Sequence, residues 1–165
     1  MERIIDVANY IANKYHEIAC EPIDEMKLHK LLYFMQRETL AITNEPAFSE
    51  DLEGWIHGPV SPVVRNCFCD GRIYAPTNDI SDKAKYIANN VISEYGVIDS
   101  WRLRQLSHNE LSWINARKGL APREIGNVPL LIDDIRADSR KIRPYDHVWD
   151  MYYDEFEDEG EARIN

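Results

Sequence analysis

Apolar residues recur every three or four positions along most of this chain, and this spacing limits its fold more than any other feature. In the first periodic segment, the apolar positions are Ile4, Ala8, Ile11, Tyr15 and Ile18. In the second, they are Leu28, Leu31, Leu32 and Met35. Such spacing places the side chains on one face of an α-helix. We therefore predict amphipathic helices that each bury one face.

Residues that favour helix ends divide the periodic segments into separate helices. Asp24 is the predicted N-cap of the second helix, and Ser61 precedes Pro62 at the start of a third. Ser107 is followed three positions later by Glu110, which is the spacing of a capping box. We predict that Ser107 caps a further helix. Together, the periodic segments and the helix ends predict about seven or eight helices.

Two further segments complete the predicted fold. Residues 47–58 contain glycines that disfavour a helix, so we predict at most a small β-hairpin there. A last helix of the domain is predicted to start at Pro129 and to bury Leu131, Ile132 and Ile135. The predicted fold is a compact all-α or nearly all-α bundle in a single domain.

The C-terminal segment combines an aromatic face with an acidic one. The residues of the aromatic face are Tyr145, Trp149, Tyr152, Tyr153 and Phe156. We predict a helical domain at residues 1–144 and an appended acidic helix or tail at residues 145–165. Its aromatic residues either pack on the domain or bind a partner, since Tyr and Trp are frequent interface anchors. A homodimer through the same face is the alternative.

Charge and cysteine content narrow the class of partner. The chain has 19 Lys and Arg against 29 Asp and Glu, a net charge of −10. Nucleic acid is disfavoured as a partner, because phosphate binding needs clustered basic residues. Three cysteines form neither a disulfide framework nor a zinc motif. Without a signal peptide or a membrane-spanning run, the chain is predicted to be cytoplasmic.

Candidate catalytic residues are few. His57 and His108 would have to act as an acid–base pair in a hydrolase, and such a pair usually needs an orienting carboxylate. Ser61 and Ser107 are better explained as helix caps than as nucleophiles. Nucleophile-elbow, zinc-protease and phosphate-loop motifs are missing from the sequence. We predict a protein that is not an enzyme and that needs no cofactor or metal.

Two features are candidate binding surfaces. The second helix has a basic and aromatic stripe away from its apolar face, formed by Lys27, Lys30, Tyr33, Phe34 and Arg37. It is either a solvated face paired with carboxylates, part of a partner groove, or a weak DNA contact. The turn from Trp55 to Pro62 is rigid, because its prolines restrict the backbone. We expect Trp55 to plug the core and the turn to form part of the partner groove.

Three ordered blocks of the sequence resemble the Panacea domain of SocA-like antitoxins. The first is Met26-Lys27-Leu28-His29-Lys30-Leu31-Leu32-Tyr33-Phe34, and the second is Glu53-Gly54-Trp55-Ile56-His57-Gly58-Pro59-Val60. The third runs from Leu106 through Ser107, His108 and Glu110 to Trp113. Gly54 departs from the alanine that this family usually has before the tryptophan. The resemblance gives these residues a structural role and implies a mostly helical fold.

The resemblance also implies a function. Members of this family typically act as antitoxins that bind a cognate toxin protein directly, and they also occur in phage genomes. We therefore predict an antitoxin that neutralises its toxin by protein–protein binding. Three alternatives remain open: an adaptor that delivers the toxin to a protease, a phage protein that binds a host factor, and a histidine-dependent hydrolase.

Overall fold

A computed structural model describes residues 1–142 of the chain. Within this range there are seven helices and one small antiparallel hairpin. The helices are α1 (Ile4–Ala19), α2 (Glu25–Thr43), α3 (Pro62–Cys69), α4 (Asp82–Tyr95), α5 (Ser100–His108), α6 (Leu111–Ala116) and α7 (Ile132–Ser139). The hairpin strands are β1 (Glu53–Trp55) and β2 (Gly58–Val60). The nearly all-α fold is confirmed, with the hairpin somewhat later in the chain than expected.

Helix α2 is the central element of the fold. It contacts α1, α3, α4, α5, α7 and strand β2. Its predicted apolar face is confirmed, because Leu28, Leu31, Leu32 and Met35 are all fully buried. Since neighbours cover α2 on several sides, most of its polar residues are buried as well. The side chains of the candidate site are positioned largely by this helix.

Several predicted helix ends are confirmed. The Asp24 carboxylate accepts a hydrogen bond from the backbone N–H of Lys27 at 2.8 Å, so Asp24 caps α2. Ser61 accepts from the N–H of Val64, and Pro62 occupies the first turn of α3. Each contact satisfies a donor that the first turn of a helix leaves unpaired. These ends hold α2 and α3 beside the hairpin.

The predicted cap at Ser107 is wrong. Ser107 lies inside α5, where its hydroxyl donates to the backbone oxygen of Arg104 at 2.8 Å. The first N–H groups of α6 instead donate to the carboxylate of Asp138, at 2.8 Å from Leu111 and 2.9 Å from Ser112. A distant side chain in α7 therefore replaces the local cap.

Burial was also predicted wrongly for three apolar residues. Ile18 is 64% exposed, because it lies in the last turn of α1 beyond the core residue Tyr15. Leu131 and Ile132 are 65% and 38% exposed, and of the three residues predicted to be buried there only Ile135 enters the core.

The start predicted at Pro129 is also wrong, because α7 begins at Ile132. Pro129 instead forms an antiparallel bridge with Glu53 of β1. The backbone on either side of it, at Val128 and Leu130, is hydrogen-bonded to Gly54 and Leu52. This pairing holds the segment in extended form and delays the helix.

Candidate functional site

The basic and aromatic stripe of α2 is buried. Its five residues are at most 8% exposed: Lys27, Lys30, Tyr33, Phe34 and Arg37. The prediction of an exposed helix face is therefore wrong, because α4, α5, α7 and β2 pack around α2. In this conformation the five side chains present no surface to a partner. Lys27 donates to the backbone oxygen of Gly96, and the polar atoms of the other residues belong to two groups of internal contacts.

The first group is a buried polar network at the C-terminal half of α2. The Tyr33 hydroxyl lies 3.2 Å from Glu110, 3.0 Å from Ser112 and 3.1 Å from Asp138. Arg37 donates to Glu110 at 2.8 Å. Burial raises the pKa of Tyr33, and the carboxylates of Glu110 and Asp138 raise it further. The network joins α2 to α6 and α7, so its role is structural.

The second group lies at the floor of a cleft of about 350 Å³. The cleft is lined from α2 by Glu25, Met26, His29 and Lys30. The hairpin contributes Trp55, Ile56, His57 and Val60, and the remaining walls are Arg65, Ile125 and Gly126. Its size falls in the usual range for a small-molecule site.

The Gly58-Pro59 turn closes over Lys30. Gly58 has φ of +110°, and a Cβ there would lie 2.5 Å from Cε of Lys30 and 2.6 Å from Oγ of Ser107. Only glycine fits both this backbone conformation and this space. The backbone oxygen of Pro59 accepts a hydrogen bond from Nζ of Lys30 at 3.2 Å. The motif therefore holds the lysine amine at the cleft floor.

Lys30 has an unusual environment for an amine. Its side chain is 1% exposed, and Pro59 is the hydrogen-bond partner of Nζ among the described residues. Burial lowers the pKa of Lys30 to about 7, and Arg104 lowers it further. A charged amine is costly to bury without a counter-ion. The floor of the cleft thus carries an amine that lacks a contacting carboxylate within residues 1–142.

His29 lies beside Lys30 and is 2% exposed. Its Nδ1 accepts a hydrogen bond from the backbone N–H of Ser61 at 3.3 Å. Burial lowers the pKa of His29, which favours the neutral ring. The ring proton then resides on Nε2, which has no hydrogen-bond partner within the described part of the chain. A Glu25 oxygen lies 3.4 Å away, but it is bound to Arg65 at 2.5 Å.

Trp55 forms a wall of the cleft and is only partly buried. Its indole N–H donates to Glu53 at 2.7 Å, and the guanidinium of Arg65 lies 5.3 Å from its ring. The prediction that Trp55 plugs the core is therefore wrong. The turn leaves this side chain partly exposed at the wall of the cleft.

We expect Trp55→Ala to lower the free energy of unfolding by about 1 kcal/mol or less, as for surface positions. Phe34→Ala is the matched comparison, because Phe34 is 1% exposed and stacks on Tyr95. That change should cost about 3–5 kcal/mol. Urea unfolding of both variants measures the difference. Equal losses of unfolding free energy would mean that Trp55 is a core residue after all.

The two candidate histidines have no catalytic arrangement among the described residues. His57 is exposed, and its Nδ1 accepts from Nε of Arg104 at 3.0 Å. His108 stacks on Trp113 with ring centres 3.8 Å apart. Burial lowers the pKa of His108 to about 4, with a further contribution from Arg104. Their contacts are a guanidinium and an aromatic ring rather than an orienting carboxylate.

Three other findings concern the predicted sites. The aromatic residues Tyr145, Trp149, Tyr152, Tyr153 and Phe156 lie outside the described residues. Within residues 1–142, no group of three His, Cys, Asp or Glu side chains is arranged to hold a metal ion. Over the same range, every helix is too short or too polar to cross a membrane.

Sequence reasoning missed several cleft residues. Glu25 and His29 are spaced four residues apart on α2, a pattern that places both on one helix face. That signal was available in the sequence. Arg65 and Ile125 reach the cleft only through the tertiary fold, and their sequence neighbourhoods carry no comparable signal.

Comparison with known proteins gives two matches. The family model described as antitoxin SocA-like, Panacea domain, matches residues 28–114. The protein named antitoxin SocA, from Caulobacter vibrioides (strain NA1000 / CB15N), is 33% identical over 88 residues. The aligned part is 53% of this chain and 40% of that protein. No solved structure matches at a significant level.

Proposed function

The chain belongs to the SocA-like antitoxin family with a Panacea domain, and we propose that it neutralises a cognate toxin by binding it directly. The observation that carries this proposal is the extent of the family match. It includes most of α2, the hairpin, α3 to α5 and the first part of α6, with both the cleft floor and the Tyr33–Glu110 contact. A non-enzymatic role in the cytoplasm is part of the proposal.

We place the toxin contact on exposed residues of α5 rather than on the buried face of α2. Trp101 is 60% exposed, and the guanidinium of Arg104 lies 5.6 Å from its ring. His57 of the hairpin meets the same ring edge-on at 5.7 Å. Tryptophan and arginine are enriched among the residues that dominate interface energies. The acidic segment 145–165, as a separate appended region, is the second contact in this proposal.

Co-expression with the product of the neighbouring gene tests the proposal. We expect the two proteins to co-purify and this chain to restore growth to cells that make the toxin. If the proteins neither co-purify nor alter toxicity, direct neutralisation is wrong. Toxin half-life separates two mechanisms, since an unchanged half-life under full neutralisation leaves only blocking and excludes delivery to a protease.

Two variants locate the contact. Trp101→Ala should reduce toxin binding by about tenfold or more, which is the effect of losing an interface anchor. Val97→Ala is the matched control, because Val97 is 85% exposed yet is a small aliphatic residue. It should bind toxin as well as the unmodified chain does. Equal binding by both variants would remove α5 from the interface.

A further inference from the structure

We propose that the cleft between α2, the hairpin and α3 binds a small organic molecule with one carboxylate on an apolar body. The proposal goes beyond toxin neutralisation and does not depend on it. It stands on three features of the cleft: two buried donors at its floor, apolar walls, and a local excess of positive charge. A ligand of this kind would satisfy all three.

The donors at the floor are the amine of Lys30 and Nε2–H of His29. Each side chain is at least nine-tenths buried, and each lines the cleft. Nε2 of His29 makes no hydrogen bond among the described residues, since the nearby Glu25 oxygen, 3.4 Å away, is held by Arg65, and Nζ of Lys30 has only the carbonyl of Pro59. An orphaned buried donor is costly, so natural proteins usually satisfy such groups. The two oxygens of a carboxylate provide one acceptor for each donor.

The walls suit an apolar body. Met26, Ile56, Val60 and Ile125 line the cleft together with the ring of Trp55. Ile125 is 86% exposed and stands at the mouth, where it would gain contact with a ligand. Apolar walls with a few placed polar groups are typical of small-molecule sites. A ligand made only of charged groups would leave these walls unused.

The charge around the floor favours a single negative group. Although the whole chain carries −10, none of the described carboxylates contacts Lys30: Asp24 and Glu25 act on it only from a distance, Glu25 is already bound by Arg65, and Arg104 and His57 lie nearby. The uncompensated cation at the floor is therefore one amine. One carboxylate neutralises it, whereas a phosphate dianion would bring a second charge without a buried partner.

Calorimetric titration of the purified full chain, without toxin, tests the proposal. The probes are hexanoate, 3-phenylpropanoate and indole-3-propanoate, each paired with its uncharged amide. At a pH of about 6, below the pKa of about 7, Lys30 is charged. We expect at least one carboxylate to bind about tenfold or more tightly than its amide, because a buried charge-assisted hydrogen bond supplies that factor.

Lys30→Met should remove the preference for the carboxylate. Lys27→Met is the matched control, since Lys27 is also a buried lysine of α2 but donates to the backbone of Gly96 at 2.8 Å. It should keep the preference. Ile125→Asp changes an exposed position and should weaken the carboxylate more than the amide by repulsion.

Three results would overturn the proposal: no carboxylate binds more tightly than its amide, Lys30→Met keeps the preference, or Ile125→Asp weakens both probes of a pair equally. Because the assay contains no toxin, these failures leave the antitoxin proposal intact. Conversely, a chain that binds a carboxylate but does not bind the toxin would contradict the antitoxin proposal and leave the ligand proposal intact.

Discussion

Replacing Asp138 by alanine is expected to lower the free energy of unfolding by about 3–5 kcal/mol, because one buried and one partly buried backbone amide lose their acceptor at about 1–3 kcal/mol each and Tyr33 loses a hydrogen bond. The Asp138 side chain is fully buried and accepts from the backbone of Leu111 and of Ser112. It also accepts from the hydroxyl of Tyr33. One substitution thus uncaps α6 and breaks its connection to α2. Urea unfolding at neutral pH measures the loss.

Asp134→Ala is the matched control for Asp138→Ala. Asp134 lies one turn earlier in α7, and its contact with Asn115 at 3.1 Å is exposed. Its replacement should change stability by about 0.5 kcal/mol or less. If the two variants lose similar stability, the cap of α6 contributes nothing beyond a surface interaction.

Acid should weaken the same cap. Burial raises the pKa of the Asp138 carboxyl, but hydrogen bonds from Ser112 and Leu111 lower it by more, so its net pKa lies below the usual value. A carboxyl whose pKa is lower in the folded state stabilises the fold at pH values above its unfolded pKa. This stabilisation is lost as the pH falls through its folded pKa. The difference between Asp138→Ala and the unmodified chain should therefore shrink in acid.

Local signals in the sequence were sufficient for most of the fold. The apolar spacing of α2 and the cap at Asp24 depend on residues within a few positions of each other, and both predictions were confirmed. The cap of α6 was not predictable in this way. Its acceptor, Asp138, lies 26 and 27 positions from the amides that it binds. Ser107 and Glu110 have capping-box spacing, but the fold uses both residues elsewhere.

The candidate site was likewise only partly predictable from the sequence. Family resemblance located the Gly58-Pro59 turn, yet the reason for glycine there is its contact with Lys30 and Ser107. Basic residues on a helix usually indicate a solvated face. That rule failed for Lys30 and Arg37 because α2 is the central helix, which a charge pattern does not reveal. The position of Lys30 at the floor of a cleft required the tertiary structure.

The burial of Lys30 predicts that stability increases with pH. Its folded pKa of about 7 lies below the ordinary value of 10.5. Below pH 7 both states hold the proton, so the cost of burying the charge is fully present. Above that pH the folded amine is neutral while the unfolded amine stays charged, so the folded state is favoured. Each pH unit between the folded and unfolded pKa values corresponds to about 1.4 kcal/mol. We therefore expect the free energy of unfolding to increase by about 2 kcal/mol between about pH 7 and 9.

Other titrating groups do not reproduce this trend between pH 7 and 9. The charged or titratable groups that act on Lys30 are Asp24, Glu25, His29, His57, Arg104 and His108. Burial lowers the pKa of all three histidines, so they are neutral throughout. Burial raises the pKa of Tyr33 and of Tyr95, so both stay protonated. The slope therefore reports mainly on Lys30.

Lys30→Met should flatten the slope, because methionine fills the same space without a titrating group. Lys27→Met should lose stability at every pH and keep the slope of the unmodified chain, since its Lys30 is intact. Unfolding in urea at several pH values between about 6 and 9 measures all three proteins. A slope that survives in Lys30→Met would mean that the amine at the cleft floor is already neutralised. In that case the cleft would have no uncompensated charge to offer a carboxylate.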